Sequence, residues 1–117
     1  MKGRIRSLQR EMAQRRMMDE VPEATVVVTN PTHLSIAIKY IIGEMETPLV
    51  VAKGKDNLAL KIREIAKEHD VPLVEDKPLA RAMYNKVEPG DEIPVEFFNA
   101  VAEVLAYVYK LKDKKTA

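Results

Sequence analysis

Asn30, Pro31, Thr32 and His33 stand in a row between two apolar runs, Thr25 to Thr29 and Leu34 to Ile42. Asparagine ordinarily degrades when the next residue's backbone nitrogen attacks its side-chain amide, but Pro31 carries no N–H and that route is closed. The reverse attack stays open. The side-chain amide nitrogen of Asn30 adds to Asn30's own main-chain carbonyl carbon, closes a five-membered succinimide and expels the nitrogen of Pro31. The product is a chain cut between residues 30 and 31.

Context decides between this chemistry and a plain turn, which an isolated Asn-Pro pair also initiates. A turn between two antiparallel strands usually carries Asn-Gly, Asp-Gly or another glycine pair, and no glycine lies between Thr29 and Leu34. Pro31 biases Asn30 toward extended geometry, so the scaffold could hold the side-chain amide against its own carbonyl. The hydroxyl and backbone N–H of Thr32 could polarise the Asn30 carbonyl or orient the amide. His33 could relay the proton that the departing Pro31 nitrogen needs. The competing account of His33 is a loop histidine hydrogen-bonded for structure.

Other candidates have simpler explanations. Lys53-Gly54-Lys55-Asp56 opens a helix after a strand, but it lacks the spacing and the terminal Lys-Ser or Lys-Thr of a phosphate-binding loop. It reads as a turn at Gly54 plus a cap at Asp56. His69 falls near a helix C-terminus, where the macrodipole and capping account for it. Glu75 and Asp76 could form a carboxylate pair at a strand end, and a solvated turn or the cap of the next helix explains them as well. No metal set and no cofactor site can be assembled.

The elements that must position the Asn-Pro step alternate in type. Arg4 to Asp19 read as a helix with a thin apolar stripe of Ile5, Leu8, Met12 and Met17, one that sticks out or frays. Thr25 to Thr29 read as a short buried strand, and Leu34 to Ile42 as a strand with one face more buried than the other. Leu49 to Lys53 read as a third strand. A helix follows with Leu58, Ile62, Ile65 and Ala66 on one side, then a fourth strand, Pro72 to Glu75. Strand, helix and strand in so short a stretch predict a parallel pair. A short helix spans Pro78 to Val87. A long one runs from beyond Pro94 to about Lys112, burying Phe97, Val101, Val104, Leu105 and Val108. The expected fold is α/β: a small mixed sheet of about four strands packed by helices, with a protruding N-terminal helix.

The chain has 117 residues, enough for one domain with one core. It is 46% hydrophobic and 32% charged with a net charge of +1, which points neither to disorder nor to a dominant polyanionic partner. The basic charge is concentrated at Lys2, Arg4, Arg6, Arg10, Arg15 and Arg16, with Glu11 as the single acid among them. There is no cysteine, hence no disulfide or thiolate chemistry. No signal-peptide core is present, and no run approaches the ~18 apolar residues of a membrane span.

Taken in order, Val26 to His33, Ala37 to Tyr40, Pro48, Val51 to Gly54, Ile62 to Glu64, Val71 to Asp76, Pro78 to Arg81 and Ile93-Pro94 resemble the cytoplasmic domain of the FlhB/YscU family of type III secretion switch proteins. The likeness spans Glu23 to Leu111, and Ala100 to Tyr109 look closer to the flagellar branch. The resemblance implies residues 1–22 as a basic helical linker, 23–112 as a self-cleaving domain and 113–117 as a flexible tail. It also implies a location at the cytoplasmic face of the bacterial inner membrane, through an N-terminal transmembrane region that this chain lacks. Cleavage between Asn30 and Pro31 is then expected once per molecule, without turnover, the two fragments staying together. Export would switch from rod and hook to filament substrates. The implied partners are other export-gate components, a hook-length control protein and exported substrates.

The residues argue against two other classes of function. A nucleic-acid-binding domain would use the arginine-rich arm, but that arm has no aromatic residue for base stacking. A small-molecule-binding α/β domain would need a phosphate-cradling glycine loop, which is missing.

Overall fold

The computed structural model describes residues 2–116, with the side chains of 2–4 and 114–116 left out. The Lys2 and Arg4 side chains and Ala117, the end of the expected tail, therefore lie outside the described residues. Helix α1 (Lys2–Glu20) leads through a 3-10 turn at Val21–Glu23 into strands β1 (Val26–Asn30), β2 (Leu34–Lys39) and β3 (Leu49–Lys55). Helix α2 (Asn57–Glu68), strand β4 (Leu73–Glu75), helix α3 (Lys77–Tyr84), a second 3-10 turn (Val95–Phe97) and helix α4 (Phe98–Thr116) complete the chain. This is the α/β fold with a four-stranded mixed sheet that the sequence pattern predicts.

The sheet order is β3-β2-β1-β4, so β1 is an inner strand. It pairs antiparallel with β2, Val28 opposite Ile36, and parallel with β4, Val28 opposite Val74. Burial on both faces explains its unbroken apolar run, and Val26, Val27 and Val28 are wholly inaccessible. On one face Val26, Val28, Ile36, Ile38 and Val50 pack beneath Leu79 and Met83 of α3 and Val101, Leu105 and Val108 of α4. On the other, Val27, Ala37 and Ala52 meet Ile62 and Ala66 of α2 together with Met17, Met18 and Val21. The side chains facing α2 are small because the helix lies close. Ser35 Oγ donates to the Ala59 carbonyl at 2.9 Å, and a Cβ on Gly54 would lie 2.8 Å from the backbone of Leu58.

The structure corrects four sequence-based expectations. First, β3 and β4 do not form the parallel pair. The β1–β2 hairpin lies between them, and β4 adds to the free edge of β1. Second, β2 ends at Lys39 and buries both faces, while Ile41 and Ile42 are exposed. The Thr25 hydroxyl occupies both backbone groups of Tyr40, accepting from its N–H at 2.9 Å and donating to its carbonyl at 3.1 Å, which closes the ladder. Third, Gly54 does not turn the chain. It lies within β3, and its value is the close approach of α2. Fourth, α3 ends at Tyr84, and Lys86 and Val87 continue only as a turn donating to the Met83 carbonyl.

Helix α1 projects as expected. Ile5, Leu8 and Met12 are exposed along it, and Met17 and Met18 at its end are buried against the sheet. The five buried residues expected in the last stretch, from Phe97 to Val108, all face the core. No helix among the described residues is long and apolar enough to cross a membrane.

Candidate functional site

Asn30 closes β1 and Leu34, its cross-strand partner, opens β2, so Pro31, Thr32 and His33 form the whole connection. The His33 N–H donates to the Asn30 carbonyl at 2.9 Å. Thr32 has φ 70°. Proline at the second position, a positive φ at the third and a bond from the fourth N–H to the first carbonyl match a type II turn, whose third position normally takes glycine. A β-branched side chain there is strained, at a cost of roughly 1–3 kcal/mol. The turn is therefore held in place by its surroundings.

Two neighbouring segments hold it. The Asp76 N–H donates to the Thr29 carbonyl at 2.9 Å, and the Asp56 N–H donates to the His33 carbonyl at 2.9 Å. The turn thus sits at the carboxyl ends of β1, β3 and β4, between the starts of α2 and α3. In open α/β sheets this end is where function is commonly placed. Asn30 is buried, with 8% of its surface accessible, whereas Thr32 and His33 are exposed.

The structure brings together all four residues singled out in sequence, Asn30, Pro31, Thr32 and His33. It places the donor on the Asn30 carbonyl at the His33 backbone, where the sequence reading had put Thr32. The carbonyl is the group that becomes an oxyanion if the side-chain amide attacks. A backbone N–H already aimed at it is the arrangement of an oxyanion hole.

Asp56 holds the N-cap position of α2 that the sequence predicts, its carbonyl accepting from the Leu60 N–H at 3.0 Å, but its side chain does not cap the helix. It adopts φ 53° and makes no side-chain bond to the helix. Its carboxylate Oδ1 lies 3.9 Å from His33 Nδ1. Asp76, by contrast, caps α3 by accepting from the Leu79 N–H at 3.2 Å. Nothing in the local pattern around Asp56 separates the two cases, because the difference comes from a contact with a loop far back in the chain.

The remaining candidates resolve into structure. His69 closes α2, its N–H donating to the Ile65 and Ala66 carbonyls. Glu75 lies opposite Thr29 at the end of β4. Lys53 turns to α3, where Nζ donates to the Tyr84 carbonyl at 2.9 Å, pairs with Glu88 at 3.1 Å and lies 4.6 Å above the Tyr84 ring. Away from the turn, Tyr40, Pro48, Phe98, Val101 and Leu105 line an apolar cleft of about 380 Å³ beside α4.

Comparison with known proteins places the chain among relatives of the same fold. The chain is 60% identical over 113 residues to the flagellar biosynthetic protein FlhB of Bacillus subtilis (strain 168), matching 97% of this chain and 31% of that protein. It therefore spans about a third of the length of that relative. The crystal structure of the cytoplasmic domain of FlhB from Shewanella putrefaciens superposes with a TM-score of 0.82 at 47% identity, over 88% of this chain and 79% of that one. The EscU C-terminal domain with an asparagine replaced by alanine superposes with a TM-score of 0.75 at 38% identity, covering 79% and 92%. Other solved EscU domains carry alanine at the proline directly after that asparagine or at a histidine three positions beyond it. That spacing is the one of Asn30, Pro31 and His33. The family described as FlhB HrpN YscU SpaS matches residues 1–108, and the chain belongs to it.

Proposed function

We propose that this chain is the self-cleaving, cytoplasmic part of a substrate-specificity switch in flagellar type III protein export, cut once between Asn30 and Pro31. The observation that carries the reading is the His33 N–H bonded at 2.9 Å to the carbonyl that cyclisation must attack. In the reaction Asn30 Nδ2 forms a bond to the Asn30 carbonyl carbon, and negative charge develops on the oxygen facing that N–H. The C–N bond to Pro31 then breaks, its electron pair stays on the Pro31 nitrogen, and that nitrogen gains a proton while Nδ2 loses one. The His33 imidazole serves as the relay. Water later opens the succinimide. Each molecule reacts once, so the chain is no turnover protease.

The family membership and the flagellar names of its relatives support the export role. The switch is local. Cutting releases a strained three-residue connection, while β1 keeps its ladders to β2 and β4. The changed surface is then read by partners: other components of the export gate, a hook-length control protein and the exported substrates. The apolar cleft beside α4 is exposed apolar surface of the kind that marks interaction sites. Attachment to the inner membrane would come through a preceding transmembrane region. Denatured mass spectrometry of freshly made protein tests the cleavage. Two species are expected, residues 1–30 as succinimide or hydrolysed asparagine and residues 31–117 starting at Pro31. A single intact species that persists on incubation at mildly alkaline pH refutes it.

A further inference from the structure

We infer that Asp56 is a positioning residue for the cleavage, holding His33 from the start of α2. The inference rests on the self-cleavage proposed above and adds to it a residue that lies outside the Asn-Pro-Thr-His run. Three features of Asp56 point the same way. Its N–H donates to the His33 carbonyl at 2.9 Å, and the His33 N–H in turn donates to the Asn30 carbonyl at 2.9 Å. The two bonds form a chain from the helix start to the reacting group through a single residue. Its carboxylate leaves the helix uncapped and lies 3.9 Å from His33 Nδ1, on the ring assigned to move the proton. Its backbone, φ 53° with ψ −112°, falls outside the ordinary left-handed well and is strained for a residue with a side chain, as functional positions often are.

The cost of this arrangement has no counterpart in folding stability. An Asp at this position whose side chain capped α2 would stabilise the helix. The His33–Asp56 pair is about two-thirds exposed on both sides, and exposed pairs contribute little. A strained backbone, an unused cap and a weak ion pair are accounted for together if the residue orients the imidazole toward the bond to be broken. The distance of 3.9 Å is longer than a direct hydrogen bond, and such contacts tighten as charge develops on the ring.

In the reaction the imidazolium of His33 gives its proton to the departing Pro31 nitrogen and recovers one from Asn30 Nδ2. The nearby carboxylate offsets the imidazolium charge and fixes the ring while both transfers occur. Asp56 exchanges no proton itself.

The test is a double-mutant cycle on the first-order cleavage rate, followed by pulse-labelled synthesis and mass analysis. It uses the natural chain, Asp56→Asn, His33→Ala and the two together. Asp56→Asn keeps the shape of the side chain and every backbone hydrogen bond, so it should fold, and thermal melting checks this. The expected result is cleavage slowed roughly tenfold by Asp56→Asn, within the range that a positioned proton-transfer group supplies. In the His33→Ala background the same change should have no further effect. A purely structural role would slow both backgrounds equally, and that outcome overturns the inference. So does a natural rate in Asp56→Asn. If the natural chain itself never cuts, the self-cleavage reading fails and this inference with it. If it cuts and Asp56→Asn cuts as fast, only the role of Asp56 falls.

Discussion

The His33 N–H and the Asn30 carbonyl oxygen are 2.9 Å apart across a turn of two intervening residues, so the oxygen that would gain charge in the proposed cyclisation already faces a donor. The donor is a main-chain group. Replacing the His33 side chain therefore leaves it in place, and His33→Ala should slow cleavage without abolishing it. Asn30→Ala removes the nucleophile and leaves the backbone pairing with Leu34, so that variant should fold and stay intact on mass analysis. Cleavage persisting in Asn30→Ala would rule out the succinimide route.

Thr32 supplies a second handle on the same bond. Its φ of 70° costs free energy in the intact chain, and the proposed cut beside it would release that cost. Thr32→Gly removes the strain at its source. The variant should cleave more slowly, by roughly three- to tenfold if a kcal/mol of strain is expressed in the barrier. A faster or unchanged rate would show that the strain is not coupled to the reaction.

After the cut, the two pieces should migrate together in size-exclusion chromatography. β1 belongs to the first piece, and both of its neighbours, β2 and β4, belong to the second. Burying Val26, Val27 and Val28 contributes roughly 1.5–3 kcal/mol each on the usual area scale. Val27→Ala should lower stability by about 2 kcal/mol and hasten loss of residues 1–30 in mild denaturant. Fragments that separate without denaturant would contradict this arrangement of the sheet.

The limits of the sequence as a guide follow from the same contacts. The run Thr25 to Thr29 announces a buried strand because it is β-branched throughout, and the apolar positions from Phe97 to Val108 announce a helix through their spacing. Asn30 and Pro31 stood out in the sequence because a missing N–H at proline leaves one mode of attack open. The pairing of β4 with β1 was not legible, because the hairpin that separates β3 from β4 is formed by an earlier part of the chain. Asp56 was read as a cap because its neighbours in sequence are helical. The contact that redirects it, with His33, is invisible to any local pattern. The positive φ of Thr32 is likewise opposed by its own residue type and imposed by its surroundings.

Gly54 gives a prediction in which packing alone decides. A Cβ built there lies 2.8 Å from the carbonyl carbon of Leu58 and 2.9 Å from the Ala59 nitrogen, both backbone atoms that cannot swing aside. Gly54→Ala must push α2 away from the sheet. The expected cost is about 1–3 kcal/mol, read as a lower denaturation midpoint with an unchanged denaturant slope. Because Asp56 directly precedes α2, the same variant should also slow cleavage. A normal midpoint would mean that α2 moves freely on the sheet.

Tyr109 ties α4 to the end of β2, its hydroxyl donating to the Tyr40 carbonyl at 3.1 Å. Burial, with a smaller contribution from the neighbouring Tyr40, raises its pKa above the ordinary value of 10.0. The unfolded chain therefore loses this proton before the folded one does. Between the ordinary value and the raised one the folded state holds more protons, so stability falls as pH rises through that window. Below pH 10 the contribution is complete. Tyr109→Phe deletes both the hydrogen bond and the ionisation, and should be less stable than the natural chain near neutral pH. Its own stability should fall less steeply above pH 10. Denaturation midpoints of the two chains across this range should therefore converge, and curves that stay parallel would show that Tyr109 ionises equally in both states.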